Sequence, residues 1–253
     1  MNCWIKIRLL FICLVAIALL SGCETTPTQT ADKAKERSVL GDDFGVLLTY
    51  SEREREGTEL FKSRMYVDKN YLYINDDRAP DDFLLFNRTN RTIYSVTHAN
   101  KTVFVIKPKE IKEKAPIEIK YVAESQPSSA IPKVSGRTAT HFRYMANGSQ
   151  CYDAVTLDKS FLAEVVDAMK EYRQVLAGEH ASTVHKMPKD VLEPCDLALN
   201  IYHATQHLDT GLPMREWDQN GFLKFMVNYQ LNFKMDPGKF DIPAEYKEFS
   251  IDQ

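Results

Sequence analysis

The sequence lacks the short motifs that mark common catalytic and nucleotide-binding sites. It contains no Cys-x-x-Cys pair, no Gly-x-Ser-x-Gly segment and no glycine-rich phosphate loop. It has no basic surplus, with 32 Lys and Arg against 35 Asp and Glu, so a nucleic-acid partner is not expected. It also has no uncharged apolar run of the roughly 20 residues that a membrane-spanning helix needs. No group of residues therefore indicates a particular reaction, and a non-enzymatic role without a cofactor is expected.

The beginning of the chain does carry a signal. Lys6 and Arg8 precede an uncharged apolar stretch, residues 9–20, which has the length of a secretory h-region. The stretch closes in Leu-Ser-Gly-Cys at residues 20–23, a small-residue cleavage site followed by Cys23. These four residues resemble the lipobox of bacterial lipoproteins, in which the cysteine is lipidated and becomes the first mature residue. The alternatives are an ordinary signal peptide or a single membrane anchor, neither of which requires this cysteine.

The lipobox resemblance implies three segments. Residues 1–22 are expected to be a lipoprotein signal peptide, 23–38 a flexible polar tether and 39–253 a single domain. Cleavage removes Lys6 and Arg8 and shifts the formal net charge from −3 to −5. Acylation of Cys23 by two or more chains would hold the protein stably on a membrane. In that family aspartate after the cysteine retains the protein at the inner membrane, so Glu24 favours the periplasmic face of the outer membrane.

Two cysteines remain once the leader and the lipidated residue are set aside. An even pair in an oxidising compartment favours a disulfide between Cys151 and Cys195. The alternative is a metal or redox pair, but a metal site would need further ligands at short spacing.

Residues 44–157 predict a β-meander of nine short strands. The predicted bounds are Gly45–Arg53, Thr58–Val67, Tyr71–Ile74, Phe83–Asn87, Arg91–Thr97, Thr102–Ile106, Pro116–Glu124, Arg137–Met145 and Ser149–Thr156. Strands joined by short turns such as Asn147-Gly148 pair antiparallel. Two more strands are predicted late in the chain, Pro213–Trp217 and Phe222–Phe233. In the second, apolar residues alternate with polar ones, which predicts a sheet face set against an apolar layer.

Two helices are predicted between the early and late strands. Asp158 would cap the first helix and Gly178 would end it. The second would begin at Pro194 and end before Gly211. The polar segment 179–189 between them is predicted to be a loop.

Four segments together resemble a known family. They are NRTNRTIYSVTHANKTVFVI (87–106), GRTATHFRYMANGSQCYDAV (136–155), GLPM (211–214) and FDIPAEY (240–246). In this order they resemble envelope proteins of the lipoprotein-carrier (LolA and LolB) fold, in an uncharacterised branch. The resemblance spans about residues 40–250. It implies an α+β fold, a strongly curved antiparallel sheet or incomplete barrel of about eleven strands with two helices across its concave side. Carriers of the family are soluble shuttles, whereas this chain is predicted to be anchored.

That fold encloses an apolar cavity for acyl chains, which indicates where a ligand would lie. The candidate ligand residues are Phe161, Val165 and Met169 on the first helix and Leu223, Phe225, Val227 and Tyr229 on the last strand. These residues either form plain core or line a pocket. The expected function is binding of an acyl chain or the lipid portion of a lipoprotein. The alternative is an envelope scaffold with a filled core and a protein or cell-wall partner.

One pair of histidines has metal-ligand spacing. His203 and His207 are four residues apart on the predicted second helix, with His180 and His185 as the nearest further ligands. No Glu follows His203, so the His-Glu-x-x-His motif is absent. Two surface histidines are the simpler interpretation, and a metal-dependent or hydrolytic enzyme is the less favoured hypothesis.

Overall fold

The structure, a computed structural model, describes residues 38–250 and is an α+β fold. It consists of an open twelve-stranded sheet and two helices, α1 (Ala163–Val184) and α2 (Pro194–Leu197). The strands are β1 (Gly45–Arg53), β2 (Phe61–Val67), β3 (Tyr71–Asp76), β4 (Phe83–Asn87), β5 (Thr92–Thr97), β6 (Thr102–Ile106), β7 (Tyr121–Ser128), β8 (Ala139–Ala146), β9 (Ser149–Thr156), β10 (Pro213–Trp217), β11 (Leu223–Phe233) and β12 (Lys247–Phe249). Five of them have the bounds predicted from the sequence: β1, β4, β6, β9 and β10.

The strand order is β12-β6-β5-β4-β3-β2-β1-β11-β10-β9-β8-β7. The predicted nine-strand meander is therefore wrong as a single unit, because β10 and β11 separate β1–β6 from β7–β9. Neighbours pair antiparallel except for β12, which was not predicted and pairs parallel with β6. The segment between β6 and β7 passes α1, where Lys109 contacts Gly178, and so carries the chain to the far edge of the sheet.

The first helix is displaced from its prediction at both ends. Asp158 caps only a turn, accepting a hydrogen bond from the Ser160 backbone N–H at 3.0 Å, and the helix begins at Ala163. Gly178 lies inside the helix, where a Cβ would be 2.1 Å from the backbone oxygen of Lys109. The glycine therefore allows the backbone at Lys109 to pack closely against the helix, and it does not end the helix. Residues 179–184, predicted as loop, extend the helix.

The predicted second helix is only partly regular. After α2 the chain continues as a π-helical turn, Ala198–Tyr202, and a 3₁₀ segment, Gln206–Thr210. Arg173 of α1 donates hydrogen bonds to the backbone oxygens of Leu199 at 2.8 Å and Ala204 at 3.4 Å. These bonds satisfy carbonyl groups that the irregular turns leave without helical partners.

Both faces of β1–β6 are covered. On one, called here the helix face, Val46, Leu48 and Tyr50 are buried in the main core with residues of α1. On the opposite face, Tyr66 and Tyr73 pack against Phe240 and other residues of segment 233–246, called here the C-terminal segment. Two-sided burial explains why strands such as β4 and β6 are apolar almost throughout. Within residues 38–250, no helix has the length and apolar character needed to cross a membrane.

The alternating pattern of β11 does not form one buried face. Its pairing with β1 shifts register between Thr49 and Tyr50, and again between Gly45 and Leu47. Each shift inserts an extra β11 residue, which reverses the alternation of side chains. Met226 is an apolar residue at a position that the alternation assigns to the polar side of the strand, and it packs on the main core. Val227, predicted to face inward, is 50% exposed.

The predicted signal peptide, the predicted lipid-attachment residue Cys23 and the predicted tether up to Arg37 lie outside the described residues.

Candidate ligand-binding cleft

The seven predicted ligand residues do not enclose a pocket between helix and strand. Phe161 and Val165 are buried in the main core, and the Phe161 ring meets the Tyr229 ring edge-on at 5.5 Å. Leu223 and Phe225 pair with Arg53 and Ser51, whose side chains alternate away from the helix face. Of the two alternatives that the sequence left open, plain core therefore applies to Phe161, Val165 and Tyr229. Among the seven, only Met169 lines the main cavity.

That cavity is a partly open cleft of about 1150 Å³ beside the middle of α1. Its apolar floor comes from the helix face of β2–β4, with Met65, Ile74 and Leu84. Met169 of α1 and Leu208 of the 3₁₀ segment add further apolar surface. A volume of this size is sufficient for a small-molecule ligand.

A disulfide secures one wall of the cleft. Cys151 of β9 is bonded to Cys195 of α2, with a Cα–Cα distance of 5.2 Å, which confirms the sequence prediction. Both cysteines line the cleft. The covalent bond ties the irregular segment 194–210 to the sheet, which the few hydrogen bonds of a short helix would not do alone.

Polar side chains run across five adjacent strands at the side of the cleft. We call these residues the polar row: Ser63 of β2, Glu52 of β1, Lys224 of β11, Glu216 of β10 and Tyr152 of β9. Lys224 is the cross-strand partner of both glutamates, so the two carboxyl groups flank one ammonium group.

Three of the four neighbouring pairs in the polar row are joined by a hydrogen bond or an ion pair, and the fourth pair, Lys224 and Glu216, interacts only through the attraction of their charges. The Ser63 hydroxyl donates to Glu52 Oε1, and Lys224 Nζ lies 3.1 Å from the same oxygen. Lys224 Nζ also lies 4.3 Å from the centre of the Tyr50 ring. At the other end, the Tyr152 hydroxyl donates to Glu216 Oε1. The row thus consists of two bonded groups, Ser63–Glu52–Lys224 and Glu216–Tyr152, set into a mostly apolar sheet.

Burial raises the pKa values of two groups here, Glu216 and Tyr50. Glu216 is only 6% exposed, and desolvation raises the pKa of its carboxyl group, although Lys224, Tyr152 and Arg173 act against that rise. Desolvation also raises the pKa of Tyr50 well above its usual value, with Glu216 and Glu52 adding to the rise. The Tyr50 hydroxyl is buried and has no hydrogen-bond partner among the described residues.

His207 faces this network from the 3₁₀ segment. Its side chain lines the cleft, and its ring meets that of Tyr152 edge-on at 5.7 Å. Burial, aided by the positive charge of Arg173, lowers the pKa of His207 to about 3. The imidazole is therefore neutral near pH 7, with one nitrogen as donor and one as acceptor.

The two histidines predicted as weak metal ligands have separate environments. The His203 ring stacks on Tyr121 at 4.4 Å, whereas His207 lies against Tyr152 in the cleft. Within residues 38–250, no three His, Cys, Asp or Glu side chains are grouped closely enough to hold a metal ion.

The polar row was missed because its members are distant in sequence. The available signal was local: in Met-Arg-Glu-Trp, Glu216 lies two residues after Met214 and therefore on the same face of the strand. Charged residues at inward strand positions indicate a built polar site. The inward direction of Lys224 depended on the register of β11.

No family model matches the chain, and no curated protein matches it. Solved structures give distant similarities. An uncharacterised conserved protein from Thermus thermophilus aligns at a TM-score of 0.41 and 7% identity, over 81% of this chain and 89% of that one. PNGF-II in one crystal form aligns at a TM-score of 0.39 and 9% identity, over 81% of this chain and 30% of that one. PNGF-II in a second crystal form gives 0.37 and 10%, over 81% and 31%.

Proposed function

We propose that this protein is a lipoprotein of the bacterial cell envelope that binds a ligand with an apolar chain and does not act as an enzyme. Cys23 would carry the lipid anchor, with the domain on the periplasmic face of the outer membrane. The proposed architecture is that of the lipoprotein-carrier fold, with the sheet curving around the cleft.

The observation that carries the proposal is the apolar floor of the cleft. Met65, Ile74 and Leu84 present side chains from three adjacent strands, and Met169 and Leu208 extend this surface. An alkyl chain covering it would gain about 25 cal/mol for each Å² of apolar surface removed from water, less the cost of ordering. The proposed ligand site is therefore the cleft beside the middle of α1.

Native mass spectrometry of the protein purified from the membrane fraction tests this proposal. The polypeptide is expected to begin at Cys23 with added acyl mass, and a fraction is expected to carry a non-covalent apolar ligand. Ile74→Asn should reduce ligand occupancy about tenfold, because it places an amide on the apolar floor. The matched control Val227→Asn changes an exposed residue away from the cleft and should retain the ligand. Ligand-free protein, or equal occupancy in both variants, would contradict the proposal.

An envelope scaffold is the second candidate. The direct contact between the Phe161 and Tyr229 rings supports a scaffold role. It leaves no room for a ligand at the place where the family resemblance implies one. A scaffold would be purified without ligand and with a protein or cell-wall partner.

A further inference from the structure

Each glutamate of the polar row has one carboxylate oxygen that is free to accept a hydrogen bond. Glu52 uses Oε1 for both Ser63 and Lys224, and Glu216 uses Oε1 for Tyr152. In the part of the chain that the structure describes, Oε2 of neither glutamate has a hydrogen-bond partner. An ionised carboxylate accepts hydrogen bonds but donates none.

His207 adds an acceptor from the opposite side of the cleft. It is only 7% exposed, and its ring nitrogens form no hydrogen bond with any residue of the described range. Neither ring nitrogen is sealed inside the protein, and the side chain lines the cleft, so a bound ligand can reach it. Because the ring is neutral, one nitrogen can accept a hydrogen bond.

The cations that line the cleft are already engaged. Eight carboxyl groups and three cationic side chains line it. Arg78 forms ion pairs with Glu54 at 2.8 Å and Asp76 at 2.9 Å. Arg173 donates to backbone oxygens of the irregular segment, and Lys224 is paired with Glu52. A carboxylate or phosphate head group would thus enter an acidic cleft in which every described cation is already engaged.

We propose that the cleft selects an amphipathic ligand whose polar end is a protonated amine. Its apolar chain would lie on Met65, Ile74 and Leu84, and its ammonium group would donate to Glu52, Glu216 and His207. This inference rests on the proposed function and adds the head-group chemistry. An ammonium group has donors and no acceptor, which matches the free carboxylate oxygens of Glu52 and Glu216. It would also offset part of the cost of burying the Glu216 carboxylate.

Three ligands of equal chain length test the head group: octylammonium, octanol and octanoate. Binding is measured by calorimetry on the mature chain 23–253 with Cys23→Ser, which needs no detergent because it carries no lipid. Octylammonium is expected to bind saturably at one site, about tenfold tighter than octanol and tighter still than octanoate. The double variant Glu52→Gln/Glu216→Gln should remove that advantage while leaving octanol affinity unchanged, which also shows that the cleft is intact. The double change Glu124→Gln/Glu248→Gln, at exposed residues of β7 and β12, removes the same number of charges and is the control that should change nothing.

The outcomes separate the two proposals. Saturable binding of octanol or octanoate at least as tight as that of octylammonium would overturn the amine inference and leave the apolar cleft standing. A preference for octylammonium that survives the double variant would also overturn it, because that preference would reflect general attraction to an acidic protein. If none of the three ligands binds saturably, the apolar-chain function itself fails.

Discussion

At the residue scale, two buried side chains of the cleft have opposite relations to pH. Glu216 keeps a raised pKa because burial disfavours its carboxylate, whereas burial of His207 disfavours its imidazolium and lowers its pKa to about 3. Near neutral pH, the two groups therefore affect the free energy of folding differently. The glutamate is the group whose ionisation opposes folding, and the histidine becomes costly only on acidification.

Replacing His207 should change how stability depends on pH. The pKa of a histidine is about 6.5 in an unfolded chain, so between pH 6.5 and about 3 the unfolded state binds a proton that the folded state does not. Stability is therefore lost as the pH falls through this window. Wild-type protein should lose about 2 to 3 kcal/mol relative to His207→Gln between pH 7 and pH 4, measured by urea unfolding. The exposed control His180→Gln should follow wild type. Parallel pH curves for wild type and His207→Gln would contradict this assignment.

At the element scale, the wall formed by segment 194–210 depends on contacts from outside itself. Its helix spans only four residues before the backbone turns irregular. Arg173 supplies hydrogen bonds from α1, and Cys151 supplies the covalent tie from β9. Isolated helical segments of this length are unstable in water, so the wall is held in position by tertiary contacts.

Removing the disulfide should destabilise the domain measurably. The bond closes a loop with a sequence separation of 44 residues, for which the chain-entropy model gives an upper value of about 4 kcal/mol. Cys151→Ala/Cys195→Ala should therefore lower the free energy of urea unfolding by about 2 to 4 kcal/mol. Wild-type protein treated with reductant should show the same loss. An unchanged unfolding midpoint in both samples would show that the wall does not need the bond.

At the scale of the whole molecule, the sheet is the middle of three layers. The main core lies between the helix face and α1, and a second cluster lies between the opposite face and the C-terminal segment. Phe240 is central to the second cluster, since its ring lies 4.8 Å from that of Tyr71 and 5.9 Å from that of Tyr66. The C-terminal segment is thus part of the folding unit.

Truncating Phe240 should reveal that contribution. Phe240→Ala removes ring contacts with Tyr66, Tyr71 and Tyr73 and should cost about 2 to 3 kcal/mol of unfolding free energy, because the ring is partly buried. Phe249→Ala, at a ring that is 39% exposed, should cost less than about 1 kcal/mol. Urea unfolding of the two variants gives the comparison. Equal losses would mean that the C-terminal segment does not form a stabilising layer.

The sequence by itself determined the features that depend on near neighbours. Turn residues such as Asn147-Gly148 and alternating side chains located most strands, and β1, β4 and β9 have their predicted bounds. The disulfide could also be predicted, because only two cysteines remain once the predicted leader and Cys23 are set aside. These features need no knowledge of distant partners.

Only the tertiary structure decided where the strands lie and what the cleft contains. The insertion of β11 beside β1, the bulges that turn Lys224 and Met226 toward the helix face, and the passage of Lys109 over Gly178 all arise between residues far apart in sequence. Glu52 and Glu216 flank Lys224 for the same reason. Local propensity does not predict such pairing, because register is set by packing against partners from elsewhere in the chain.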